Sequence, residues 1–152
     1  MNKILAEILT IGDEILYGQI TDTNSQWMSA ELDQLGIKVV RKTTVGDTED
    51  EILSAFSEAE SRADIVLITG GLGPTSDDLT MPVLANFFNS VIIMNEEVLA
   101  HVKHFFESRG RKFTELNRRQ ALVPEIAQVL HNDLGTAPGT WYERNGKVFV
   151  SL

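Results

Sequence analysis

The stretch Asp64-Ile65-Val66-Leu67-Ile68-Thr69-Gly70-Gly71-Leu72-Gly73-Pro74-Thr75-Ser76-Asp77-Asp78 decides the fold class. Its first part is apolar without alternation, so a strand built from it carries apolar side chains on both faces. A central parallel strand covered by helices on two sides requires that. Its second part is glycine-rich and polar and turns the chain out of the strand. Met81 to Phe88 then reads as a helix, with Pro82 tolerated in its first turn.

Upstream, Lys3 to Ile11 is a buried strand ended by Gly12. Asp22 to Leu35 carries Trp27, Met28, Leu32 and Leu35 on one helical face before Gly36 stops it. Ile37 to Val45 is β-branched and strand-like, and Thr48 with Glu51 reads as a capping box opening a helix through Ile52, Leu53, Phe56 and Ala59. Downstream, Val91 to Met94 is a short strand, and Asn95 caps a helix with Val98, Val102, Phe105 and Phe106 on its apolar face. Phe105 and Phe106 are expected in the core. A short helix follows from Thr114 to Leu122. After Pro124 the chain becomes loop-rich: Ala127 to Leu130 is strand-like, His131 to Thr140 is a loop, and Trp141 to Leu152 forms two strands around Asn145-Gly146, the strongest short hairpin signal.

Strands alternating with helices predict a doubly wound α/β domain with a mostly parallel sheet and a C-terminal antiparallel hairpin that adds mainly at the edge. The length of 152 residues suits one domain, residues 1–152, and the apolar strand ending at Leu152 without a turn suggests a fragment of a longer chain. The 43% hydrophobic and 23% charged composition excludes a disordered chain. A net charge of -9 supplies no field to draw the chain to nucleic acid or anionic lipid, so neither is an expected partner. With no cysteine, disulfides, thiolate catalysis and cysteine-based zinc are excluded, which fits a cytoplasmic protein. Glu7 interrupts the amino-terminal apolar run too early for a signal peptide, and no run approaches the roughly 18 apolar residues of a membrane helix.

In open α/β sheets, ligands bind beyond the carboxyl ends of the strands. Three loops fall there: Gly12-Asp13-Glu14, Gly46-Asp47 and Gly70 to Asp78. Gly70, Gly71 and Gly73 allow close backbone approach to an anion, and Thr75 and Ser76 add hydroxyl donors. Asp77 and Asp78 beside an anion imply a cation between them. Asp13, Asp47, Asp77 and Asp78 are therefore candidate ligands for a hard divalent ion such as magnesium. The plainer readings are a tight turn whose acidic residues favour the helix dipole, a helix start at Asp13-Glu14, and N-capping by Asp22 in Asp22-Thr23-Asn24. The loop Asn132 to Gly139 suits a binding loop. Asn117, Arg118 and Arg119, like His101 and His104, read as a solvated helix face, and the two Trp residues as packing or interface groups. The glycine loop fits neither the Walker nor the dinucleotide pattern, and no serine-hydrolase motif is present.

Five segments, Gly12 to Gly18, Asp22-Thr23-Asn24, Val45-Gly46-Asp47, Thr69 to Thr80 and Gly135-Thr136-Ala137-Pro138-Gly139, resemble in order and spacing the amino-terminal domain of the competence/damage-inducible CinA family. That family belongs to the superfamily of the molybdopterin-binding MoaB and MogA proteins. The resemblance implies a three-layer α/β/α MogA-like fold, a homo-oligomer (dimer or trimer), and metal-dependent hydrolysis of ADP-ribose, with magnesium or cobalt as cofactor. It also implies Asp13 and Asp78 as catalytic groups. Gly70, Gly71, Gly73, Thr75, Ser76, Asn24, Gly135, Thr136 and Gly139 become the expected substrate contacts. Leu72 and Pro74 favour the CinA branch over MogA. The alternatives are a module that binds molybdopterin or a nucleotide without turnover, and an oligomerisation domain with a vestigial site.

Overall fold

The computed structural model describes residues 3–75 and 78–152. Ser76 and Asp77, both expected in the site, lie outside the described residues. The chain runs through β1 (Leu5–Ile11), α1 (Asp13–Leu16), α2 (Thr23–Gln34), β2 (Lys38–Val45), α3 (Glu49–Arg62), β3 (Ile65–Thr69) and α4 (Thr80–Phe87). It continues through β4 (Ile92–Met94), α5 (Glu96–Glu107), α6 (Glu115–Arg118), a 3-10 turn (Arg119–Ala121), β5 (Leu122–Pro124), β6 (Gln128–Leu130), β7 (Gly139–Arg144) and β8 (Lys147–Ser151).

Six strands form the main sheet in the order β2-β1-β3-β8-β7-β6, while β4 and β5 make a separate antiparallel ribbon. Strands β1, β2, β3 and β8 are parallel, and β7 runs against its neighbours β8 and β6. Alternation within β1 and β3 splits the core as a period of two demands. Leu9, Ile11, Val66 and Ile68 face a cluster with Ile52, Phe56, Val83 and Leu84 of α3 and α4. Ala6, Ile8, Ile65 and Leu67 face Met28 and Leu32 of α2. Helices therefore cover both faces, giving the expected three layers. A third cluster joins Val98 and Val102 of α5 to Ala121 and Val129.

Several local expectations need correction. The terminal hairpin forms, with Asn145 and Gly146 both at positive φ as a type I′ turn requires. Its second strand is interior, however, paired in parallel with β3 through Ile65↔Val148 to Ile68↔Ser151. Apolar residues on both faces of β8 (Phe149 and Val150 are buried) suit a central strand, and the short β6 takes the edge. Of the α2 face, Met28 and Leu32 are buried but Trp27 and Leu35 are 65% and 74% exposed. Phe105 and Phe106 are only partly buried, Phe105 lying under the Arg109 guanidinium at 3.6 Å. Thr48 does not cap α3 through its side chain and instead donates to the Glu51 carboxylate at 2.8 Å. The capping box occurs at Thr114 and Asn117. The helix expected to reach Leu122 tightens into a 3-10 turn, because Leu122-Val123-Pro124 pairs with β4. Among the described residues no helix is long and apolar enough to cross a membrane.

Candidate functional site

Because β1, β2 and β3 are parallel, the loops that follow them share one sheet edge. The chain leaves β1 towards β2 on one side and leaves β3 towards β8 on the other, so a topological switch point lies between β1 and β3. A cleft of about 220 Å³ opens there, lined by Thr10, Glu14, Asp22, Asn24, Thr69 and Gly70 among others. Asp22 accepts from the Ser25 amide at 3.0 Å as the cap of α2 and from the Thr10 hydroxyl at 2.7 Å. Burial pushes its carboxyl up, but these two hydrogen bonds outweigh that effect and hold it below its ordinary value. Asn24 donates to the Thr69 hydroxyl at 3.3 Å, which joins the start of α2 to the end of β3.

The glycine loop is built from close approaches. Gly70 has φ +98° and passes so near the Ile11 carbonyl that a Cβ would run into it. At Gly71 an added Cβ would strike the Thr80 hydroxyl. That hydroxyl donates to the Gly70 carbonyl at 2.8 Å, and the Thr80 amide donates to the Gly71 carbonyl at 3.3 Å. Packing of β1, β3 and α4 thus demands both glycines, whatever the loop binds. Further along, the Asp78 carboxylate accepts from the Thr75 amide at 3.0 Å and from the Thr75 hydroxyl.

Asp13 and Asp47 form a reciprocal pair. The Asp13 amide donates to Asp47 Oδ2 at 3.1 Å, and the Asp47 amide donates to Asp13 Oδ1 at 3.3 Å. Gly46 leaves room for this arrangement, since a Cβ there would lie 2.7 Å from Asp13 Oδ1 and 2.9 Å from Glu51 Oε2. Asp13, Asp47 and Asp78 do not gather round one point. Among the described residues no three His, Asp or Glu side chains are placed to share a metal ion.

A second cleft has a volume of about 200 Å³. Gly73, Thr75 and Asp78 line it, and Leu72, Pro74, Met81, Pro82, Ile92 and Leu122 supply apolar surface. Arg119, Gln120, Ala137 and Pro138 complete it. Sequence reading assigned Arg119 to a solvated face and did not single out Gln120. The 3-10 turn that folds them onto the loop depends on the three-residue pairing of β4 with β5, too short to leave a periodic signal.

Of the expected Gly135, Thr136 and Gly139, none lines this cleft. Gly135 and Thr136 sit beside α5: the Gly135 carbonyl lies 3.0 Å from His101 Nε2, and Thr136 lines a smaller cleft with His101 and His131. Asn132 organises this loop, accepting from the Leu134 and Gly135 amides at 3.0 and 3.1 Å and donating to the Ala137 carbonyl at 2.9 Å. Gly139 is buried inside β7, where a Cβ would press on Leu130 Cβ at 3.1 Å and on the Ser151 carbonyl at 3.3 Å. Its lack of a side chain serves strand packing.

Residues 7–152 match the family described as "Probable molybdopterin binding domain". A CinA-like protein of Cytophaga hutchinsonii is 56% identical over 149 residues, covering 98% of this chain and 36% of that protein. The chain spans about a third of the length of the curated relatives it matches. The crystal structure of the protein CinA from Thermoplasma acidophilum is 33% identical with a TM-score of 0.88, covering 100% of this chain and 89% of that one. The tungsten cofactor synthesizing protein MoaB of Pyrococcus furiosus is 19% identical with a TM-score of 0.60, covering 99% and 81%, a likeness of fold alone.

Proposed function

The chain belongs to the molybdopterin-binding domain family, in its CinA-like branch, and from that premise we propose that it binds a phosphate-bearing small molecule of pterin or nucleotide type in the cleft between the Gly73–Asp78 loop and Pro138. The observation that carries this reading is the make-up of that cleft. Arg119 offers a cation suited to phosphate, and Leu72, Met81, Pro82 and Ile92 make the cleft apolar enough for a ring. A hydrophobic pocket with a few convergent polar groups is how small-molecule sites are ordinarily built.

Titration of the chain with AMP, ADP-ribose and a pterin phosphate, followed by melting temperature, tests the reading. A ligand at about 100 times its Kd stabilises the folded state by about 2.7 kcal/mol, a shift that melting detects readily. No shift with any of these compounds at millimolar concentration rejects it.

Hydrolysis of ADP-ribose with magnesium or cobalt is a second, finer reading, and the Asp13–Asp47 pair is what favours it. Each carboxylate commits one oxygen to the other residue's amide. Two carboxylates at one sheet edge fit magnesium, which usually takes one or two together with substrate phosphates and water. Bound there, the ion would neutralise a pyrophosphate and orient water. Asp78 enters this reading through the loop it closes on Thr75. Release of AMP from ADP-ribose only when magnesium or cobalt is added supports turnover; binding without release leaves the domain a binding module. Assembly as a dimer or trimer belongs to the same proposal, and sedimentation measures it.

A further inference from the structure

The β4–β5 ribbon leaves a sheet edge that no other strand among the described residues covers. β4 pairs with β5 alone, through Ile92↔Pro124 to Met94↔Leu122. On the β5 side Val123 and Pro124 are buried, but along the outer strand Val91, Ile92 and Ile93 are 62%, 40% and 38% exposed. Successive strand residues point to opposite faces, so β4 shows apolar surface on both. Cross-strand neighbours ordinarily shield such side chains, and β4 has them on one side only.

The open side also presents hydrogen-bonding groups. The Glu125 amide donates to the Val91 carbonyl and the Asn95 amide to the Ala121 carbonyl, both at 2.9 Å, so Val91, Ile93 and Asn95 turn their backbone groups to β5. By the alternation of an antiparallel ladder, those of Ile92 and Met94 point away from it.

The β2 edge of the main sheet is guarded, and this one is not. β2 carries the exposed Lys38, Arg41 and Lys42, and its register with β1 is interrupted at Ala6/Glu7. Charges and bulges are the usual means of keeping an edge from pairing. β4 has neither, and its register with β5 is regular. It lies within a run of seventeen residues, Leu79 to Asn95, that holds no charge in a chain of net charge -9. Two copies of so acidic a chain meet with least repulsion on a neutral surface.

We propose that β4 pairs antiparallel with β4 of a second copy about a two-fold axis, joining the two ribbons into one four-stranded sheet. This rests on the assembly reading above and names its surface, and it makes the assembly a dimer. A register centred on Ile93 sets that residue against its own counterpart and lets Ile92 and Met94 exchange backbone hydrogen bonds across the axis. The same register puts Glu96 opposite the uncharged Ser90, so the acidic start of α5 does not meet its own copy. Ile92 also lines the cleft assigned to the ligand, so the pairing adjoins that cleft.

The chain has no cysteine, so a single introduced one can form a disulfide only between copies. Directly opposed residues of a non-hydrogen-bonded antiparallel pair have Cα atoms about 4.5 Å apart, within the span a disulfide bridges. Under mild oxidation Ile93→Cys is expected to convert most of the chain to a cross-linked dimer. Val40 on the guarded β2 edge is likewise 38% exposed. At the same concentration Val40→Cys is expected to cross-link about tenfold less. Sedimentation of the unaltered chain should give a dimer, and Ile93→Lys, which sets two ammonium groups face to face, a monomer.

A trimer, or a dimer that Ile93→Lys leaves intact or Ile93→Cys does not cross-link, places the interface elsewhere: the assembly reading stands and the β4 pairing falls. Equal cross-linking of the two cysteine variants overturns the pairing as well. A chain that sediments as a monomer at millimolar concentration overturns both and leaves the edge to a different occupant. Should Ile93→Lys not fold, the contrast between the cysteine variants decides. Ligand-induced melting shifts are read separately, so none of these outcomes bears on the binding reading.

Discussion

At single positions the chain shows how one residue type serves two masters. Asp78 looks like a metal ligand in sequence, yet its carboxylate closes the loop on Thr75. Asp78→Asn keeps an acceptor for the Thr75 amide, whereas Asp78→Ala removes it. The alanine variant is expected to weaken AMP or ADP-ribose binding at least tenfold with a stability change within about 1 kcal/mol, since the loop is partly exposed. The asparagine variant should lie between it and the unaltered chain, and equal binding by all three would separate the loop's shape from its ligand. At Gly70, by contrast, the constraint is conformational. Gly70→Ala must hold φ near +98° and push against the Ile11 carbonyl, so a loss of about 2–4 kcal/mol is expected in chemical denaturation. A variant as stable as the parent would show that the β1–β3 approach can relax.

Between elements, the most constrained polar contact is an ion pair outside the site. Glu7 on β1 is fully buried and accepts from Arg62 Nε at 2.6 Å, Arg62 Nη2 at 2.8 Å and the Thr43 hydroxyl at 2.8 Å. It pins the end of α3 and strand β2 to the central sheet, beside a register shift at Ala6/Glu7. Burial pushes the Glu7 carboxyl up, but the bonds from Arg62 and Thr43 more than offset it, and its pKa lies below the ordinary 4.5. The folded state therefore binds this proton less readily than the unfolded chain does. The stabilisation is complete above about pH 5 and is lost as pH falls below 4.5 and through the folded value. Denaturation midpoints measured from pH 7 to pH 3 should fall over that range. Arg62→Ala, which strands a buried carboxylate, should cost about 3–5 kcal/mol at pH 7. It should also remove this part of the acid sensitivity, because stranded Glu7 then protonates more readily; an unchanged profile would assign acid unfolding to other carboxylates.

Across the whole domain, the aromatic cluster around β8 ties that strand to α3 and to the end of α4. Phe149 packs at 6.2 Å from Phe56, 5.4 Å from Phe87 and 5.3 Å from Phe88, and Phe88 stacks on Tyr142 at 4.6 Å. Burial raises the Tyr142 hydroxyl to about 12, as expected of a phenol held within that core. Because β8 stands between β3 and β7, Phe149→Ala should cost about 3–5 kcal/mol. Removing residues 147–152 should abolish cooperative unfolding as followed by circular dichroism. A shortened chain that still melts cooperatively would mean that β7 can pair with β3 directly, the edge role that sequence reading gave the hairpin.

Pattern alone determined the layers. The unbroken apolar run from Ile65 to Ile68 requires cover on both faces, and the spacing of Ile52, Phe56 and Ala59 leaves one apolar stripe to provide it. Local chemistry was equally legible: Asp22 and Asn95 cap helices, Asn145-Gly146 makes its turn, and glycines stand where the chain leaves β1 and β3. These features depend on residues a few positions apart, so the sequence carries them directly. What only the tertiary structure decided depends on distant pairings. The insertion of β8 beside β3 joins residues more than 80 apart in the chain. The β4–β5 ribbon swings Arg119 and Gln120 onto the glycine loop, and the Asp13–Asp47 pair is set by the β1–β2 register. Short strands carry almost no periodic signal, and side-chain reach across a cleft carries none; both are fixed by where the sheet places its ends.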